Sequence, residues 1–173
     1  MKPRSSSPPI FDRRPVFETP VVAIAHWRCR SSCRGPGAER AQPRPLIVIL
    51  RSGNFRVESS AEIGLLDCTR AGFFNANVPF RSAHPYSGGD TGADFGFRAD
   101  ALADVFGPFA ADHPERPFRS GCGPLDAETF LLQTLVLKKA GSSSRDALEV
   151  EELSLRLLGR LAEPFRVGGA PGP

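Results

Sequence analysis

The sequence predicts a mainly β domain that closes with α-helix. Three observations lead there. Short β-prone runs recur between residues 21 and 98, separated by Pro, Gly, Asn and Ser punctuation. From residue 126 onward apolar residues recur instead at three and four. Charge then sits where helix ends favour it, with Glu128 early and Lys138 and Lys139 late in one stretch.

Each element has its own signal. Residues 1–17 are rich in Ser, Pro and Arg without periodicity and read as a flexible arm. Residues 21–29 carry Val, Ile and Trp, which favour a pleated strand. Residues 30–45 are rich in Gly, Pro and charge and read as a loop. The run LIVIL at 46–50 predicts a buried strand. Ser52, Gly53 and Asn54 form a turn into a strand at 55–58. Further strands are predicted at 63–68, 71–75, 80–84 and 93–98, the last two parted by the turn Ser87-Gly88-Gly89-Asp90. Seven short strands at this spacing predict a sandwich or barrel.

The helical half follows. Residues 99–106 predict a short helix stopped by Gly107 and Pro108. Residues 110–125 read as an irregular connection with three prolines. Asp126 caps a helix at 127–140 that ends at Gly141. Ser143 or Ser144 is expected to cap a second helix, which runs to about residue 162 before Pro164 stops it. Val150, Leu153, Leu157, Leu158 and Leu161 form one stripe on it, while Leu148 and Leu155 lie off that stripe. Residues 164–173 read as a flexible tail.

Composition narrows the function classes. With 173 residues the chain suits one domain, and 40% hydrophobic residues supply a core. A net charge of +3 is too small to argue for nucleic acid. No apolar run is long enough to span a bilayer, and the start lacks the apolar core of a secretory signal, so a cytoplasmic protein is expected. Cys29, Cys33, Cys68 and Cys122 are then expected as reduced thiols. Cys29 and Cys33 have a CxxxC spacing with no second half-site, so it predicts no structural zinc.

The segment 72–90, GFFNANVPFRSAHPYSGGD, carries a resemblance. Phe73, Phe74, Asn75, Pro79, His84, Pro85, Gly88, Gly89 and Asp90 stand in the order found in the N-terminal sensing domain of AraC-type bacterial transcription regulators. The likeness runs from about residue 19 to 164. It includes His26 to Cys29, and Arg51, Ser52 and Gly53 with Phe55. It implies a cupin-like β-barrel or sandwich over 18–109, then an antiparallel two-helix unit over 126–163. The barrel would bind a small-molecule effector and the helices would dimerise.

The site residues follow from that frame. Trp27, Phe74 and His84 are the candidate ligand-binding residues, each on a strand beside a turn-rich segment. His84 has a second reading, as a strand-end histidine bonded to a neighbouring turn. Cys29, between Arg28 and Arg30, reads either as a thiol of lowered pKa or as a small buried apolar residue. Leu148, Leu155 and Arg156 are the dimerisation candidates, giving a homodimer or a heterodimer with full-length relatives. The family's helix-turn-helix pair has no counterpart in these residues, so direct DNA binding is not expected. The alternative is a free-standing cupin-like metal enzyme or small-molecule-binding protein. His26, His84 and His113 are far apart and form no HxH pair, so no catalytic residue, metal or cofactor is predicted.

Overall fold

A computed structural model describes residues 10–31, 34–59, 64–86 and 89–166. Among the described residues, nine strands and four helices run in the order β1 Phe11–Glu18, β2 Val22–Cys29, β3 Leu46–Ser52, β4 Phe55–Ser59, β5 Gly64–Leu66, β6 Arg70–Phe74, β7 Phe80–Ala83, β8 Asp90–Phe97, α1 Ala99–Phe106, α2 Pro108–Asp112, β9 Cys122–Pro124, α3 Ala127–Ala140 and α4 Ala147–Arg166. The strands form two sheets, β1-β2-β8-β3-β6-β9 and β5-β4-β7. Every strand pair is antiparallel. An isolated bridge between Arg40 and Phe80 extends the smaller sheet beyond β7. This is the strand order of a jelly roll.

The continuous apolar run in β3 now has its reason. Ile47 and Ile49 face one way, into a core shared with α1, α3 and α4. Val48 and Leu50 face the other, toward Phe55, Val57, Leu66 and Phe80 of the small sheet. A central strand covered on both faces needs apolar residues at every position. The molecule therefore has three layers: helices, large sheet, small sheet. Burying the β3 residues stabilises each by roughly 1.5–3 kcal/mol relative to exposure.

Several local expectations are corrected. The arm expected over 1–17 is in part the strand β1, paired with β2 from Phe11↔Cys29 to Glu18↔Ala23. Its register shifts between Pro15 and Phe17. An edge strand tolerates a proline and a bulge, which hides it from propensity. The connection expected over 110–125 holds α2 and β9, and β9 joins the large sheet beside β6. The strand expected at 63–68 narrows to β5, with residue 63 outside the described part. Asp146, not Ser143 or Ser144, caps α4: its carboxylate accepts from the Leu148 and Glu149 N–H groups at 2.9 and 3.5 Å. Pro164 lies inside α4 rather than ending it. It removes one donor in the last turn, and Phe165 holds that turn by packing on Phe73 and Phe106 at 5.5 and 6.2 Å.

Other elements form as their residues dictate. Asp126 accepts from the Thr129 N–H at 2.7 Å and caps α3. Arg160 of α4 reaches Asp126 and Glu128 at 3.0 Å, and Lys139 reaches Glu149 at 2.6 Å. Opposite ends of α3 and α4 thus meet. Asn75 bonds both backbone groups of Phe118, at 2.8 and 3.1 Å, and pins that segment to the end of β6. No helix among the described residues is long and apolar enough to cross a membrane.

Candidate functional site

A cavity of about 430 Å³ opens between the two sheets. Its apolar wall includes Trp27, Val48, Phe55, Phe74 and Phe80. Trp27 is held from two sides, stacked on Phe11 at 6.1 Å and edge-on to Phe55 at 6.0 Å. Gly92 makes space for its indole: a Cβ there would lie 2.5 Å from Trp27 Cζ2 and 2.7 Å from the Ile49 carbonyl.

Polar groups converge on this wall from β1, β7 and β8. Arg13 Nε and Nη2 donate to the two Asp94 oxygens at 2.8 and 2.7 Å, a bidentate pair. The Asp94 bond holds the Arg13 guanidinium above its ordinary value. His84 Nε2 meets Asp90 Oδ2 in a buried contact. Burial pushes the Asp90 carboxyl up to about 6, against the pull of His84. Arg40 donates to Ser82 Oγ at 2.7 Å and lies over the Phe80 ring. Cys29 sits beside the His84–Asp90 pair. Burial pushes its thiol up, although the Ser31 N–H bonds Sγ at 3.5 Å. The lowered thiol pKa considered for Cys29 is therefore corrected: desolvation outweighs the neighbouring cations.

The three sequence-predicted ligand residues, Trp27, Phe74 and His84, all line this one cavity. His26 and His113 do not join them. His26 is half-buried on β2, its pKa lowered first by desolvation and then by Arg51. His113 is exposed, stacked on Phe109 at 4.5 Å. Cys33, and with it the CxxxC spacing, lies outside the described residues. Cys122 lies elsewhere, accepting from Arg70 Nη2 at 2.6 Å. Sequence reasoning missed Arg13, Asp90 and Asp94. A signal existed for the two acids. Asp90, Gly92, Asp94 and Gly96 alternate along β8, so the cavity face of that strand is acidic and small while Ala93, Phe95 and Phe97 face the helices.

Leu148, Leu155 and Arg156 are far from this cavity, exposed on α4. Leu148 is 73% and Leu155 38% exposed, while the stripe Val150, Leu153, Leu157, Leu158 and Leu161 is buried. A shallow groove beside them is lined by Leu132, Leu135, Leu153, Arg156, Arg160 and Glu163, among others.

No protein-family model matches the chain, and no curated protein matches it. Solved structures with a similar arrangement include KdgF from a Halomonas species, at 18% identity and a TM-score of 0.43, covering 57% of this chain and 90% of that one. An RmlC-like cupin from Shewanella frigidimarina aligns at 15% identity and 0.42, over 51% and 76% of the two chains. A cupin domain from Bordetella pertussis aligns at 12% identity and 0.42, over 55% and 100%. The jelly-roll assignment rests on the strand order given above.

Proposed function

We propose that this chain is an effector-sensing and dimerising domain of the AraC type, with its small molecule held between the two sheets. The cavity is the observation that carries the reading. At about 430 Å³ it falls within the range of small-molecule sites, roughly 300–1,000 Å³. It pairs an aromatic wall with a few fixed polar groups, which is how such sites combine affinity with orientation. Trp27 and Phe74 supply a flat apolar surface, and Ser82, His84 and Arg40 supply donors and acceptors at its rim. The ligand class is a small polar molecule with one apolar face. Binding it would add contacts to β1, because Phe11 and Arg13 belong to the same wall.

The dimerising half of the reading rests on α4. Leu148 and Leu155 are two helical turns apart on its exposed side, near Glu152 and Arg156. A self-complementary contact between two copies would bury both leucines and pair each glutamate with an arginine. A second reading, a free-standing metal enzyme, is favoured by one observation, the Cys29–His84–Asp90 cluster on the same wall.

A thermal-shift screen of small polar metabolites tests the sensor. A compound binding the native state alone at 100 times its Kd adds about 2.7 kcal/mol and raises the melting temperature by several degrees. The rise is expected to disappear in Trp27→Ala. A broad panel that leaves the wild type unmoved counts against the reading. For the dimer, Leu155→Glu is expected to give a folded monomer by sedimentation, because an unpaired charge enters the contact. Wild-type protein that sediments as a monomer at tens of micromolar sinks that half.

A further inference from the structure

Three side chains of metal-ligating type converge at one end of the cavity from three separate strand ends. Cys29 closes β2, Asp90 opens β8 and His84 follows β7. The sheet register accounts for two of them: Cys29 and Asp90 are direct cross-strand partners. His84, just past the end of β7, meets Asp90 directly. One ligand atom from each, Sγ, an imidazole nitrogen and a carboxylate oxygen, lies within 4.8 Å of the other two. His84 and Asp90 are 7% and 4% exposed, and Cys29 is half-buried. All three belong to the wall of the cavity.

We propose that Cys29, His84 and Asp90 bind a divalent transition-metal ion of the zinc class, with a coordination position left open toward the cavity. The donor set selects the ion. A thiolate with an imidazole suits zinc or cobalt(II), while magnesium and calcium require oxygen donors throughout. Three protein ligands with a fourth position open to a small molecule is the arrangement of an exchangeable site rather than a closed structural one. The distances are compatible. Ligand atoms around tetrahedral zinc lie about 3.3–3.6 Å apart, given bonds of about 2.0–2.3 Å. The three atoms have to settle from within 4.8 Å of one another to that spacing, and the His84–Asp90 contact has to open. Rotations of the three side chains supply both, with no change of strand register. The step balances as loss of the thiol proton to solvent and formation of a sulfur–metal bond, with no change in oxidation state.

The site goes beyond the sensor reading and does not depend on it. Metal occupancy is a property of the three side chains whether or not an effector is ever found. Under either function, an oxygen or nitrogen donor of a cavity ligand would complete the coordination.

The test uses the full chain, reduced, stripped of metal and titrated with cobalt(II) under anaerobic conditions. One equivalent is expected to bind, with a thiolate-to-cobalt charge-transfer band and the strong visible bands of a four-coordinate ion, both removed by added zinc. Cys29→Ser is expected to abolish the charge-transfer band and to weaken binding by at least about 100-fold, beyond the 10–100-fold typical of a lost supporting partner. His84→Gln is expected to weaken it similarly. Cys33→Ser, Cys68→Ser and Cys122→Ser are expected to retain the band. X-ray absorption at the zinc edge of the wild type needs no variant, and one sulfur with an imidazole in the shell is the expected result. Absence of stoichiometric cobalt binding at micromolar concentration overturns the proposal. So does a shell of oxygen and nitrogen alone, or a charge-transfer band that survives Cys29→Ser. A band lost in Cys33→Ser and kept in His84→Gln assigns the metal to the CxxxC pair and overturns it equally.

Discussion

Replacing Arg13 by alanine asks whether β1 is an integral part of the sheet. Arg13 forms the only bidentate side-chain pair described between β1 and β8, at 2.8 and 2.7 Å. The Asp94 side chain is 6% exposed and that of Arg13 37%. A fully exposed ion pair contributes about 0.2–1 kcal/mol. Stripping one partner from a buried pair costs about 3–5 kcal/mol, because the remaining charge is left desolvated. Here the acid is buried and the base partly open, so the cost falls between, at about 2 kcal/mol. With a urea slope of roughly 2 kcal/mol per molar, the unfolding midpoint should fall by about 1 M. The melting temperature should fall by about 4–8 °C for a domain of this size.

The assay is urea unfolding followed by tryptophan fluorescence. Trp27 is the single tryptophan of the chain, and it stacks on Phe11 of β1, so the probe reports the strand in question. A second variant sharpens the test. Adding Asp94→Asn to Arg13→Ala should recover part of the loss, because a neutral amide costs less to bury than an unpaired carboxylate. An Arg13→Ala protein within about 0.5 kcal/mol of wild type refutes the argument, since that is the spread of ordinary surface substitutions. A double variant less stable than Arg13→Ala refutes it as well.

Two further expectations follow from the cavity wall. Gly92→Ala should destabilise by about 1–3 kcal/mol and shift the Trp27 emission, because its Cβ meets the indole and the Ile49 carbonyl below 3 Å; an unchanged spectrum and midpoint would show that the indole has space to spare. Burial holds the Asp90 carboxyl at about 6 against an ordinary 3.8, so the folded chain takes up this proton more readily than the unfolded one. Its contribution to stability is therefore full below about pH 4 and is lost as pH rises through about 6. With a chelator present, the melting temperature of Asp90→Asn relative to wild type should rise between pH 4 and 7, and a difference that stays flat with pH would count against it.

Local chemistry determined much of this protein from sequence. The LIVIL run fell in β3, α1 and α3 stand at 99–106 and 127–140 as expected, and Asp126 caps the latter. These features depend on residues within one turn or one strand of each other, so propensity, capping and punctuation report them directly. Trp27, Phe74 and His84 were also visible, because each stands out chemically beside a turn.

What the sequence left hidden depends on partners far along the chain. β1 is a strand because an edge lies open beside β2, not because FDRRPVFE favours one. Pro164 fails to end α4 because Phe165 packs on Phe73 and Phe106. Arg13 and Asp94 are 81 residues apart, and Cys29 meets Asp90 only through the β2–β8 register. Packing the small sheet over the large one buries His84, Asp90 and Asp94 and leaves Cys29 half-buried beside them. The sequence by itself determined the strands β2, β3, β4, β6, β7 and β8 and the helices α1, α3 and α4; the tertiary structure alone decided that β1 and β9 would be strands and which charges and ligating atoms would share one cavity, because burial and long-range pairing are properties of the packed layers and not of any one segment.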